Sequence, residues 1–306
     1  MTTPPNAADD IEELLASYTR HLKAGNLSPR TLRTYGQSVN ALVRYLRSLP
    51  DPPAAVEDID RALIQDWLEE MTAAANGSST PLTRFTQVRT FFRWLVAEGE
   101  LDATPMQGMR DPKTTEKPVP VVPRDVLLLL LKTCDNSFEG RRDEALLRAY
   151  ADGGMRLNEC LALELDDVDM DQQVFWVKGK GGKVRAVPFG AKTARAVDRY
   201  LRARRRHPGA QFTSRVWLGT KGPLGEAGVR HMLHRRCDAA EVDRLFPHQL
   251  RHTSAHQVRL AGMNDQDMRR IFGWSRYSRM PDRYGESAAD ERAREAHRRL
   301  SFGDQL

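Results

Sequence analysis

Residues 104–123 read TPMQGMRDPKTTEKPVPVVP, and this stretch decides how the chain is divided. Pro105, Pro112, Pro118, Pro120 and Pro123 all fall within it. Proline fixes φ and lacks the N–H that a helix needs, so residues 104–122 read as an extended linker between domains. On its N-terminal side the apolar periodicity is helical. Residues 1–9, with Pro4 and Pro5, read as a flexible tail. Ile11, Leu14, Leu15, Tyr18 and Leu22 mark one face of a first helix. Ser28-Pro29 supplies an N-cap and a proline at the first helical position, opening a second helix with Leu32, Tyr35, Val39, Leu42, Val43 and Leu46 as its stripe. Asp60 caps a third helix, and Pro81 to Glu98, carrying Val88, Phe91, Phe92, Trp94 and Leu95, forms a fourth. Residues 10–103 are therefore expected to be an all-helical domain.

On the C-terminal side, residues 123–306, the pattern is mixed. Short helices over 124–133, 141–151 and 156–163 precede Val174-Phe175-Trp176-Val177, a strand by composition. The Gly-rich turn KGKGGK (178–183) and the return Val184 to Pro188 make it a β-hairpin tipped with lysines. Everything beyond reads as helical to about Arg299. The fold class is thus mainly α: an all-helical N-terminal domain followed by an α+β domain with a small hairpin or sheet.

Composition narrows the function. The chain of 306 residues is 40% hydrophobic and 29% charged, which suits folded domains and excludes wholesale disorder. Its longest apolar run, Val126 to Leu131, stops at Lys132, far short of a membrane span. The start MTTPPNAADD lacks a basic, then apolar, secretory signal, so a cytoplasmic location is expected and no membrane partner. Cys134, Cys160 and Cys237 are odd in number and widely spaced, and read as buried thiols. The charge is uneven. Residues 1–122 hold 13 Lys and Arg against 16 Asp and Glu, whereas residues 123–306 hold 34 against 25. A basic half suits a polyanionic partner such as nucleic acid, or a solvated basic surface.

Four pieces of the second half could carry chemistry: GGMRLNE (153–159), the hairpin tip with Lys180, HQLRH (248–252), and GWS (273–275) followed by Tyr284. Singly, each has an ordinary reading. Arg156 could be a surface arginine, Lys180 a turn lysine, and Tyr284 a half-exposed tyrosine. His248 and Arg251 lie three apart and so share a helix face, which suits a phosphate or a surface pair. His248, His252 and His256 line one face and could suggest zinc, but Gln249 stands where a metalloprotease helix would carry its glutamate, and Arg251 and Arg259 would oppose a cation. His252 and His256 are read instead as packing histidines.

Together and in this order, the pieces resemble the tyrosine recombinase family of phage integrases and Xer- and Cre-like recombinases. Its pattern runs Arg, Lys, His-x-x-Arg, His or Trp, then Tyr. GGMRLNE is similar to the first arginine box, KGKGGKVRAVP to the lysine hairpin and PHQLRHTSAH to the second arginine box, while SPRTLRTY and TRFTQVRTFFRWL resemble the N-terminal core-binding, SAM-like domain. Two features depart from the pattern: the interval from Trp274 to Tyr284 is ten residues, one longer than the pattern has, and Tyr277 is a nearby alternative. The DRYGES context favours Tyr284.

The resemblance implies a C-shaped clamp on double-stranded DNA and cleavage through a 3′-phosphotyrosyl intermediate and a Holliday junction, with no cofactor, metal or ATP. Arg156 and Arg251 would hold the phosphate, Lys180 would protonate the leaving 5′ oxygen, with Lys178 and Lys183 as competitors, His248 would accept a proton, Trp274 would position and Tyr284 would attack. Glu159 and Asp167 would orient Arg156 and its neighbours. Ser28, Thr31, Arg33, Thr83, Arg84, Gln87 and Arg89 would face the major groove, and the run containing Arg204 and Arg205 would meet phosphates. The C-terminal helix would assemble a homotetramer on synapsed, att-type core sites with inverted repeats, and an accessory factor would set direction. Phage integration and excision is the expected use. A nicking-resealing enzyme like a type IB topoisomerase, or a non-catalytic DNA-binding regulator, are the competing readings.

Overall fold

The computed structural model describes residues 6–75, 78–112, 120–179, 182–301 and 303–305, and the chain divides into two units, residues 1–117 and 118–306. The first unit is built by capping and one aromatic core. The Asn6 side chain accepts the backbone N–H of Ala8, and Asp9 reaches back to the Asn6 N–H, a reciprocal cap that starts α1 (Ala7–Ala24). The expected tail through residue 9 is therefore corrected: Ala7 and Ala8 are helical and fully buried, and the Ala7 N–H donates to the Pro53 carbonyl. Residues 1–5 lie outside the described residues.

Ser28 accepts from the Thr31 N–H and opens α2 (Pro29–Ser48), with proline where no donor is required. Asp60 caps α3 (Arg61–Ala74), and α4 (Thr80–Glu98) ends on Gly99 in the left-handed conformation. Tyr18, Phe91, Phe92 and Trp94 pack where α1, α2 and α4 meet. Each such side chain removed from water contributes about 2–3 kcal/mol before entropy is subtracted. The extended-linker expectation is corrected at both ends. Residues 105–108 turn, burying Met106 in the first unit's core. Val122 is buried in the second unit, where its N–H donates to Thr253 Oγ1 at 2.9 Å. Burial of the apolar side chains at 106 and 122 fixes these two positions, each to the core of its own unit. Residues 113–119 lie outside the described residues.

The second unit begins with α5 (Arg124–Lys132), α6 (Phe138–Gly153) and the short α7 (Leu157–Leu161). An antiparallel sheet follows, ordered β1 (Val168–Asp169), β2 (Val174–Lys178), β3 (Val184–Pro188). Alternation sorts its faces: Phe175, Val177 and Val187 are buried while Trp176 and Ala186 face out. Arg185 pairs with Val177 and thus points to the buried face. Five helices complete the unit: α8 (Ala191–Arg204), α9 (Glu226–Ala239), α10 (Pro247–Leu260), α11 (Asp265–Phe272) and α12 (Met280–Arg299). The expectation of helix alone beyond residue 188 missed a two-stranded sheet, β4 (Leu218–Gly219) with β5 (Gly222–Pro223); strands of two residues carry no readable alternation.

Cys160 and Cys237 are buried, Cys134 is half-buried, and all three are free thiols. Among the described residues no helix is long and apolar enough to cross a membrane.

Candidate active site

Two glycines let three elements converge. Gly154 ends α6 at φ +50°, and a Cβ there would stand 2.4 Å from the Phe272 ring. Gly273 ends α11 at φ +62°, and a Cβ there would stand 2.9 Å from the Arg185 guanidinium carbon. A side chain at either position would meet both backbone strain and a neighbour. Their closeness brings the end of α6, the start of α7, β3, α10 and the end of α11 around one point.

Three guanidiniums fill that point. Arg251, on α10 and 5% exposed, donates through Nη1 to the Gly154 carbonyl at 2.6 Å and through Nη2 to the Phe272 carbonyl at 2.7 Å. Arg156, whose side chain is half exposed, donates to the Gly273 carbonyl at 3.1 Å and to Glu159 Oε1 at 2.8 Å. Arg185 donates to the Ile271 carbonyl at 2.9 Å and to Glu159 Oε2 at 2.6 Å. The three thus clamp consecutive carbonyls at the end of α11.

Charge follows from this packing. Burial, and then the neighbouring Arg156, push Arg251 down to about 10, so it stays cationic at neutral pH. Burial would raise the Glu159 carboxyl, but its bonds to Arg185 and Arg156 outweigh that and hold it below the ordinary range. The expected orienting role of Asp167 is not what its contacts show. Its carboxylate accepts from the Glu164 N–H and lies 3.5 Å from Lys178 Nζ.

Tyr284, on α12 and 4% exposed, brings its hydroxyl against His252 Nδ1. Its ring stacks on Trp274 at 5.5 Å and 13°, and Trp274 stacks in turn on Phe272 at 4.9 Å and 17°. The Arg251 guanidinium sits 5.8 Å from the Trp274 ring centre. His252 Nε2 lies 2.7 Å from His248 Nε2. Tyr277, by contrast, is 83% exposed. The structure therefore gathers Arg156, Arg251, Trp274 and Tyr284, with His248 one residue removed from the tyrosine. Lys180 lies outside the described residues. Among the described residues no group of three His, Cys, Asp or Glu is arranged to hold a metal ion.

Two members of the cluster were missed. His252 was read as packing although it stands one turn beyond His248. Arg185 was not singled out, yet its place in β3, two before the buried Val187, forces an arginine inward, where it must find partners.

The residues expected to touch DNA are scattered. Thr83, Arg84 and Gln87 line a polar cleft of about 570 Å³ with Thr34, Ser38 and Arg44. Ser28 and Thr31 are bonded to each other at 2.8 Å as part of a helix cap, and Arg33 is exposed. Arg89 pairs with Asp111 at 2.9 Å and lies over the Phe85 ring. Arg205 is exposed. Arg204 is a correction: it is 3% exposed and donates to the carbonyls of Thr213, Arg215 and Val216, so it fastens the chain after α8 and is withheld from any phosphate.

Fold and cluster together define a class, the tyrosine-type site-specific recombinases, built from a helical N-terminal unit and a catalytic unit with small sheets. The phage integrase family model matches residues 120–291, and the model of the phage integrase N-terminal SAM-like domain matches residues 15–99. The chain belongs to the phage integrase family. Its relatives include the tyrosine recombinase XerC of Pelobacter propionicus, 26% identical over 86% of this chain and 87% of the relative, and that of Corynebacterium efficiens, 30% identical over 77% and 78%. Among solved structures, the XerH site-specific recombinase bound to palindromic difH substrate, in a post-cleavage complex, matches with a TM-score of 0.74 at 18% identity, covering 95% of this chain and 84% of that one. A lambda integrase tetramer bound to a Holliday junction matches at 0.70 and 18%, covering 90% and 76%. At that identity the likeness shows the fold.

Proposed function

We propose that this recombinase cuts and rejoins DNA strands through Tyr284. The observation that carries the reading is the Tyr284 hydroxyl held against a histidine, beside guanidiniums bonded mainly to neutral carbonyls. Attack on a phosphodiester builds negative charge on the non-bridging oxygens. Arg156 and Arg251 take those oxygens, each contributing on the order of 10²–10³ in rate. Both can exchange a backbone carbonyl for a phosphate oxygen. Trp274 fixes the tyrosine ring by stacking. Lys180 protonates the departing 5′ oxygen. The phosphotyrosyl bond keeps the energy of the broken phosphodiester, so the cycle requires neither ATP nor metal.

Residues 10–103 serve as the core-binding domain and residues 104–122 as the connection to the catalytic domain, residues 123–306. Thr83, Arg84 and Gln87 contact DNA from the α2–α4 cleft, joined by Ser28, Thr31, Arg33 and Arg89 of the same unit, and Arg205 contacts it from the second unit. The assembly is a homotetramer on two paired core sites, joined through the C-terminal helix, with an accessory factor setting direction. Phage integration and excision is the proposed use, supported by the integrase family match. A second reading, a Xer-type recombinase acting on one cellular site, is supported by XerC relatives that align along most of both chains.

Covalent trapping tests the reaction. Nicked suicide duplexes from DNA flanking the gene, incubated with the chain and EDTA, should yield an SDS-resistant adduct. Tight binding without an adduct would favour the non-catalytic regulator. Sequencing the captured DNA separates the two uses: a junction of phage and host sequence supports integration, and a single chromosomal site supports the Xer-type reading.

A further inference from the structure

We propose that His252, and not His248, takes the proton from Tyr284, and that His248 receives the proton displaced from His252 in a two-histidine relay. This rests on Tyr284 being the nucleophile. Both Tyr284 and His252 are buried, so bulk water is not the first acceptor for the phenolic proton. Among the described residues, His252 Nδ1 meets the hydroxyl. The other nitrogen of the same ring meets His248 Nε2 at 2.7 Å, with the rings edge to face and their centres 4.2 Å apart. His248 is exposed and opens the chain to solvent.

A neutral imidazole has one donor and one acceptor nitrogen. If Nδ1 of His252 accepts from Tyr284, then Nε2–H of His252 donates to His248 Nε2, and His248 carries its own proton on Nδ1. The reverse set also closes: His248 donating, and His252 Nδ1–H donating to the phenolic oxygen. The cationic surroundings choose between them. Arg251 on α10 acts on Tyr284, and Arg156 and Arg185 stand behind it, offset by Glu159 alone among the carboxylates bonded to them in the described residues. Such a field draws the lone pairs of the phenolic oxygen toward the guanidiniums and turns its O–H toward His252 Nδ1.

The step balances. As the Tyr284 oxygen bonds to phosphorus, its proton passes to His252 Nδ1, the Nε2 proton of His252 passes to His248, and His248 releases one proton to solvent. The P–O5′ bond breaks with its electron pair on the 5′ oxygen, which takes a proton from a separate donor. Rejoining reverses each transfer. His252 is catalytic in this scheme because it touches a reacting atom.

The test uses the full chain and a duplex recovered by covalent capture from a randomised pool on the wild-type protein. Single-turnover cleavage is followed with the natural phosphodiester and with a 5′-bridging phosphorothiolate, whose sulfur leaves without a proton. His252→Asn keeps a side-chain acceptor for Tyr284 but cannot carry a proton. It should cleave on the order of 100-fold more slowly with both leaving groups. The exposed variant His248→Ala should lose about tenfold near neutral pH and recover as pH rises. Cleavage by His252→Asn within twofold of wild type would overturn the relay. So would a loss cured by sulfur, which would put His252 on the leaving-group side.

Nitrogen NMR of histidine-labelled protein without DNA supplies a reading that depends on neither site nor variant folding. A bare Nδ1 and protonated Nε2 on His252 are expected, and a proton on Nδ1 overturns the proposal. Failure of the wild-type chain to capture any duplex would sink the nucleophile reading and the relay with it. Capture with undiminished His252→Asn would sink the relay alone.

Discussion

In the α6–α9 region, Asp143 is fully buried and accepts from three arginines: Arg142 at 2.7 and 2.9 Å, Arg236 at 2.7 and 2.9 Å, and Arg235 at 3.1 Å. Arg142 and Arg236 place their remaining Nη1 donors on the carbonyls of Leu218 and Thr133. Around Gly273, three arginines meet again, but Glu159 bonds only two of them, and the buried Arg251 is bonded to carbonyls. The difference lies in the partner. A guanidinium on a buried carboxylate is committed, since leaving would strand two charges in a poorly solvating interior. A guanidinium on a carbonyl can move to a phosphate oxygen and strand none. The first cluster holds α6 to α9, and the second keeps guanidiniums that an anion could draw from their carbonyls.

The largest effects should fall on the second cluster. Tyr284→Phe should abolish the SDS-resistant adduct, a loss beyond about 10³-fold, whereas Tyr277→Phe should stay within about twofold. Adduct lost only in Tyr277→Phe would move the nucleophile to the exposed tyrosine. Arg251→Lys should slow cleavage about 100-fold with duplex binding largely kept, because one ammonium cannot span the Gly154 and Phe272 carbonyls and later two phosphate oxygens. Equal loss of binding and cleavage would mean that Arg251 only grips.

The first cluster should respond in stability alone. Asp143→Asn leaves buried guanidiniums uncompensated and should cost about 3–5 kcal/mol in denaturant unfolding, with cleavage per folded molecule unchanged. Lost cleavage in folded Asp143→Asn would erase the contrast between the clusters. Glu159 joins the two behaviours. Its carboxyl is held below the unfolded value, so it stabilises the fold above that value and this contribution fades as pH falls through the lowered one. Glu159→Gln should therefore flatten the acid side of the stability curve. An unchanged slope would remove the charge pairing from the account.

The smallest effects separate two neighbours. Arg205→Ala should lower the salt dependence of DNA binding by about one ion. Arg204→Met should leave that dependence alone and lower the melting temperature, having released its three carbonyl partners. A changed salt slope in Arg204→Met would return that residue to the DNA surface.

The neighbours Arg204 and Arg205 also mark a limit of what local sequence encodes. Both belong to one basic run, and nothing in the run says that only the first turns inward; that depends on where residues 213–216 pass, which is decided nine or more positions later. His252 failed differently. Its spacing from His248 was visible, but a histidine beside a buried arginine reads the same whether it packs or meets a hydroxyl 32 residues away. Arg185 was legible and overlooked, since alternation along β3 already turned it inward. Asn6 and Asp9 likewise spelled a reciprocal cap that two prolines in the preceding residues obscured.

The sequence by itself determined what is local or periodic. Ser28-Pro29 starts a helix, Asp60 starts another, KGKGGK turns a hairpin, and His248 and Arg251 share a face because three residues make nearly one turn. The order of arginine box, lysine hairpin, second arginine box and tyrosine also sits in the sequence, and with it the family. The tertiary structure alone decided which groups meet: Tyr284 with His252, Arg251 with Gly154 and Phe272, Arg185 with the end of α11. Those contacts join residues 21 to 97 positions apart, and local propensity carries no information on such pairs. They are set by how two left-handed glycines let the ends of α6 and α11 approach, which is a property of packing and not of any one stretch of chain.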